Sequence, residues 1–148
     1  MFKEVDDLKF LLNKAARLTA HHFNTKLKEF DITLPQFGIL LCLYDYERSY
    51  GMKDYLTPAN IAEFLSADRP TVSGVIYRLS QKGLVLSAIN PNDRRSQIIR
   101  LTDKARKIIP YMKQLGDESI KEATEGLKKD EIEQLKIYLA KIVHNLTN

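Results

Sequence analysis

Residues 56 to 105 read LTPANIAEFLSADRPTVSGVIYRLSQKGLVLSAINPNDRRSQIIRLTDKA, and the punctuation of this stretch decides the fold. Thr57 and Pro58 make an N-cap and a first-turn proline, so a short helix is predicted from Pro58 to about Leu65, with Ile61, Ala62 and Leu65 inward. After a brief turn at Ser66 and Ala67, Asp68 caps a second helix that tolerates Pro70 in its first turn and ends at Gly83. Val72, Val75, Ile76 and Leu79 give it one apolar stripe. Two short apolar-leaning runs follow, Gly83 to Ile89 and Ser96 to Leu101, around a turn of Asn, Pro and Asp. They read as a hairpin with Arg94 and Arg95 at its polar tip. Asp93 can accept hydrogen bonds from neighbouring backbone or guanidinium groups and so hold the arginines extended. A tip of this kind, taken alone, is an ordinary solvated turn; behind two capped helices it suits a polyanion.

Two short helices joined by a tight turn match the helix-turn-helix, with the second helix as the reader. Once Val72, Ile76 and Leu79 face the core, Arg69, Thr71, Ser73, Gly74, Tyr77 and Arg78 turn outward or to the flanks. Small residues let the backbone approach base edges, hydroxyls serve phosphates or bases, and arginine pairs with guanine. An outward Thr, Ser and Gly would otherwise be poor helix formers without compensation. Charge agrees. Ser66 to Lys107 holds nine basic residues against three acidic ones, so this segment carries +6 and the rest of the 148-residue chain −2. A positive centre on a nearly neutral scaffold is the footprint of a nucleic-acid contact surface.

Outward from the centre, Met1 to Phe30 places apolar residues, Phe2 and Val5 among them, in steps of three and four, which predicts a long amphipathic helix. Asp31 to Pro35 breaks it, and Leu34-Pro35 opens a second helix through FGILLCLYDY. Glu47 to Tyr55 is polar, contains Gly51 and reads as a loop or irregular extension. Thr102 or Asp103 caps a long segment expected to be broken or bent at Pro110 and weakened at Gly116 and Gly126. Ile132, Leu135, Leu139, Ile142 and Leu146 then form a three-four seam that seeks a partner helix.

Other chemistries are poorly supplied. There is no apolar run of transmembrane length, and the charged N-terminus is unlike a signal peptide, so a cytoplasmic protein is expected. Cys42, the single cysteine, lies in the apolar run Ile39 to Leu43 and reads as a small buried hydrophobe. His21 and His22 point about 100° apart on a helix, so a shared metal is not expected. No cofactor is expected. No Gly-rich phosphate loop, nucleophile elbow or metal-ligand spacing suggests an enzyme. A winged-helix module that binds proteins instead of DNA is the alternative; it would favour a neutral or acidic reading helix and wing, which this chain lacks.

The order helix, turn, helix, strand, basic tip, strand resembles the DNA-binding lobe of the multiple antibiotic resistance regulator (MarR) family. The wing signature of that family, D-x-R followed by a strand and Leu-Thr, is matched by Asp93, Arg95, Leu101 and Thr102. The resemblance implies a mainly α fold with a small β-hairpin wing. A winged helix-turn-helix lobe over residues 34–107 would be flanked by dimerisation helices at 1–32 and 108–148 within a single 148-residue domain. It also implies a homodimeric, ligand-responsive transcriptional regulator, most often a repressor, that binds an inverted-repeat operator in double-stranded DNA. DNA contacts are implied for Arg69, Thr71, Ser73, Gly74 and Arg78 on the reading helix and for Asp93, Arg94 and Arg95 in the wing. By this resemblance Arg95 would be the groove-reaching residue and Arg94 a phosphate contact. Some relatives sense oxidants through a cysteine on the first helix, where this chain has none. The segment Asp45 to Leu56 is longer than the family pattern.

Overall fold

The computed structural model describes residues 6–147. The chain runs α1 (Leu8–Leu27), a 3-10 turn (Lys28–Phe30), α2 (Leu34–Tyr50), α3 (Pro58–Leu65), α4 (Arg69–Gln81), β1 (Val85–Asn90), β2 (Asp93–Leu101), α5 (Asp103–Ala123) and α6 (Lys129–Thr147). The fold is thus mainly helical with one antiparallel hairpin. The predicted apolar positions Phe2 and Val5 lie outside the described residues.

Short-range chemistry sets most boundaries. Thr33 and Thr57 each close a capping box, with Gln36 and Asn60 reaching back, and a proline follows each cap. Asp68 and Thr102 cap α4 and α5 through the backbone N–H groups of Thr71 and Ala105. Ser66 adopts a left-handed conformation with φ of 52° and makes the tight turn between α3 and α4. Gly83, at φ of 72°, turns the chain from α4 into β1, a conformation that costs glycine little.

One core joins these elements. Leu27 of α1, Leu40 of α2, Ile61 of α3, Leu79 of α4, Ile99 of β2 and Ile109 and Met112 of α5 are all buried in it. The stripe Val72, Ile76 and Leu79 faces it, while Val75 is only half-buried. By contrast α6 has no buried residue, and its seam side chains Leu135, Leu139 and Leu146 are exposed.

Two expectations fail for definable reasons. Glu47 to Tyr50 is helix, not loop, because side chains four apart and one partner from α5 hold the last turn of α2. The Tyr46 and Tyr50 rings lie 4.7 Å apart, Arg48 donates to the Tyr44 hydroxyl at 3.2 Å, and Arg106 Nε sits 2.7 Å from Glu47 Oε1. Helix α5 also runs unbroken through Pro110 to Ala123. Gly116 is also a contact point: a Cβ there would stand 3.1 Å from Phe23 Cζ, so its absence lets α1 and α5 approach closely. Gly126, at φ of 90°, lies between α5 and α6.

Candidate nucleic-acid interface

The outward face of α4 is set by its cap and its stripe. Asp68 Oδ1 accepts from Thr71 N at 2.8 Å, and Oδ2 accepts from the Thr71 hydroxyl at 2.9 Å. The backbone bond first, and the hydroxyl second, hold the Asp68 carboxyl below its ordinary range. Arg69, Thr71, Ser73, Gly74, Tyr77 and Arg78 are all exposed. The side chains of Arg69, Ser73 and Arg78 make no hydrogen bond or ion pair with any described residue. The Thr71 hydroxyl, in contrast, already donates to Asp68, so it meets an outside group as an acceptor unless that bond breaks. Tyr77 presents its ring outward, its hydroxyl accepting from Gln81 Nε2 at 3.0 Å. Nothing lies within 4 Å of where a Cβ on Gly74 would stand.

In the hairpin, Val85 pairs with Leu101 and the register holds as far as Ile89 opposite Gln97; beyond a bulge, Asn90 faces Asp93. Arg94, Arg95 and Ser96 are therefore the unpaired residues of the bulge, on β2 itself and not in the turn where the sequence placed the arginines. Asp93 organises one of them. Its Oδ1 accepts from Arg95 N at 3.0 Å and from Arg95 Nε at 3.3 Å, and the Arg95 side chain is 93% exposed. Arg94 forms no such bond among the described residues and is also exposed.

The base of the wing is held by residues that the sequence reading passed over. Asn90, which is buried, accepts at Oδ1 from Asn92 N at 2.9 Å and from the Tyr55 hydroxyl at 3.2 Å, and its Nδ2 donates to Ser96 Oγ at 2.9 Å. Asn92 Nδ2 donates to the same Tyr55 hydroxyl at 2.6 Å. Arg100 donates to the carbonyls of Met52 and Asp54 and lies over the Tyr55 ring. Leu56 adds a β-bridge to Ile99, whose N–H donates to the Leu56 carbonyl at 2.8 Å. The segment that looked overlong is thus the clamp of the wing. Asn-Pro-Asn marked the turn in sequence; nothing local marked Tyr55, 35 residues away from Asn90.

The end of α4 is tied on two sides. Lys82 donates to the Asp31 carbonyl and to Gln36 Oε1, the latter at 3.0 Å, while Lys104 donates to the Lys82 carbonyl at 3.0 Å. Away from this surface, Glu122 of α5 bridges His22 and Lys26 of α1 at 2.6 and 3.0 Å, and these hydrogen bonds, the Lys26 bond foremost, lower its carboxyl. No group of three or more His, Cys, Asp and Glu able to hold a metal occurs among the described residues. Cys42 is buried, and burial, aided by the Asp45 charge, pushes its thiol up to about 11.

A capped helix pair with an open, polar reading face, followed by a hairpin that carries exposed arginines, defines a winged helix-turn-helix DNA-binding protein. The MarR family model matches residues 32–97. The transcriptional regulator MgrA of Staphylococcus aureus is 30% identical over 140 residues, covering 94% of this chain and 89% of MgrA. A mutant of Escherichia coli MarR bound to operator DNA superposes with a TM-score of 0.80 at 29% identity, over 91% of this chain and 92% of that one. The MepR–DNA complex of S. aureus gives 0.82 at 27% identity, over 95% and 99%. The chain belongs to the MarR family, and as such is a DNA-binding transcriptional regulator and not an enzyme.

Proposed function

We propose that the protein acts as a homodimeric repressor of an inverted-repeat operator and releases it when a small-molecule effector binds. The observation that carries the reading is the pairing of an unobstructed α4 face with the two arginines of the wing bulge. In this reading Arg69, Thr71, Ser73, Gly74 and Arg78 face the major groove, Arg95 enters the minor groove with Asp93 steadying it, and Arg94 meets phosphate. Arg95 suits narrow A·T-rich stretches, where the negative potential is strongest. Helix α6, none of whose residues is fully buried, supports dimerisation through the regions 1–32 and 108–148, leaving 34–107 as the reading lobe. A two-fold dimer places half-sites about 34 Å apart. The effector's place is a cleft of about 430 Å³ between α1, α2 and α5, walled by Phe23, Phe37, Leu41 and Ile120 and edged by Lys113 and Asp117. That volume suits a small ligand.

Selection of bound fragments from genomic DNA tests the reading. An enriched inverted repeat is expected, and its absence sinks the operator assignment. Arg95→Ala should weaken operator binding about tenfold and lower the salt slope by about 1; unchanged affinity and slope would remove the wing from the interface.

A further inference from the structure

Where α2 meets α3, a second cleft of about 510 Å³ has no part in the reading above. Cys42 lies buried at its base, Tyr46 and Tyr50 come from α2, and Phe64 comes from α3. Phe64 is 72% exposed and Tyr50 65%, so aromatic surface stands open to solvent. The charged side chains of the lining are Asp45 and Glu63, both carboxylates. This reverses the sign of a chain with pI near 9.1, and each of the four other described clefts carries at least one Lys, Arg or His. Glu63 forms no ion pair with any described residue. Asp45 is partly engaged: its Oδ1 lies 3.9 Å from Lys113 Nζ. Its charge nevertheless reaches the base of the cleft, where it adds to the effect of burial on the Cys42 thiol.

Aromatic side chains beside the unpaired Glu63 carboxylate, with Asp45 only partly neutralised by Lys113, attract a cation, and an apolar concavity of this volume holds the body of a small molecule. An anion is repelled here. A neutral apolar ligand would desolvate the carboxylates without compensating them. A hard metal ion wants six or more oxygens, and no metal-holding group occurs among the described residues. We propose that the α2–α3 cleft is a binding site for a lipophilic organic cation, with Glu63, helped by Asp45, balancing the charge and Tyr46, Tyr50 and Phe64 enclosing the apolar body. The site is separate from the α1–α2–α5 cleft and needs no DNA. Its wall α3 packs directly on α4, so an occupant borders the reading unit.

Titration calorimetry of the full chain with tetraphenylphosphonium tests this, with tetraphenylborate, of the same shape and opposite charge, as the control. One saturable site per chain is expected for the cation. Phe64→Ala should weaken it about tenfold and Glu63→Gln about fivefold. Both side chains are exposed, so these variants keep the fold. Tetraphenylborate, drawn to the basic surfaces, should bind both variants as it binds the original chain. Failure of the cation to saturate, or undiminished binding of the cation by both variants, overturns the proposal.

Discussion

Gly74 sets stability against function at a single position. It sits mid-helix on the exposed face of α4 with open space where a methyl group would stand. No contact within the chain requires the glycine. Gly74→Ala should therefore raise unfolding stability by about 0.5–1 kcal/mol through helix propensity. If the bare backbone is there to approach DNA, the same change should weaken operator binding. Thermal melts and fluorescence anisotropy on one preparation check both, and a rise in stability with unchanged affinity would refute the close approach. Cys42 is the opposite kind of residue, used for packing. With its thiol near 11, the thiolate fraction at pH 8 is about one in a thousand, so alkylation should run more than roughly a hundredfold slower than for a free peptide thiol. The sign follows from the raised value. The neutral thiol favoured in the fold contributes stability below the ordinary value of 9.0, and that contribution is lost as pH rises from there to about 11. Apolar surroundings in the sequence were enough to read this residue as buried.

At the level of elements, what the sequence disclosed and what it hid divide by range. Caps at Thr57, Asp68 and Thr102, and the stripe of α4, act within four residues and were legible. The last turn of α2 was not, because a polar composition concealed the Tyr46–Tyr50 pair and the reach of Arg106 from α5. The clamp on the wing was hidden for the same reason: Tyr55, Leu56 and Arg100 have their partners across the fold. Tyr55→Phe removes the hydroxyl that serves both Asn90 and Asn92. It should cost about 1 kcal/mol, speed amide exchange between Asn90 and Ser96, and weaken operator binding roughly fivefold. Unaltered exchange there would show that the wing is held without Tyr55.

For the whole molecule, the uneven charge along the chain pointed to nucleic acid, and the fold and family bear that out. The helix and apolar spacing of the last segment were legible in the sequence, and α6 leaves Leu135, Leu139 and Leu146 exposed, with Val143 beside them. If a second copy covers them, Leu139→Asp should yield a monomer in sedimentation velocity that keeps its helical signal. Operator affinity should fall by roughly 10² as the two half-sites are uncoupled. A dimer persisting in that variant would place the seam elsewhere. The wing bulge bears on how such a molecule diversifies. In a plain two-residue hairpin, one inserted residue transmits a slip along the strand and turns the core face outward. Here Arg94, Arg95 and Ser96 lie outside the ladder, while Val85 to Ile89 stay matched to Gln97 to Leu101. Beyond the Asn90–Ser96 tie, the tip can thus change its exposed residues while the hydrophobic register beneath it stays fixed.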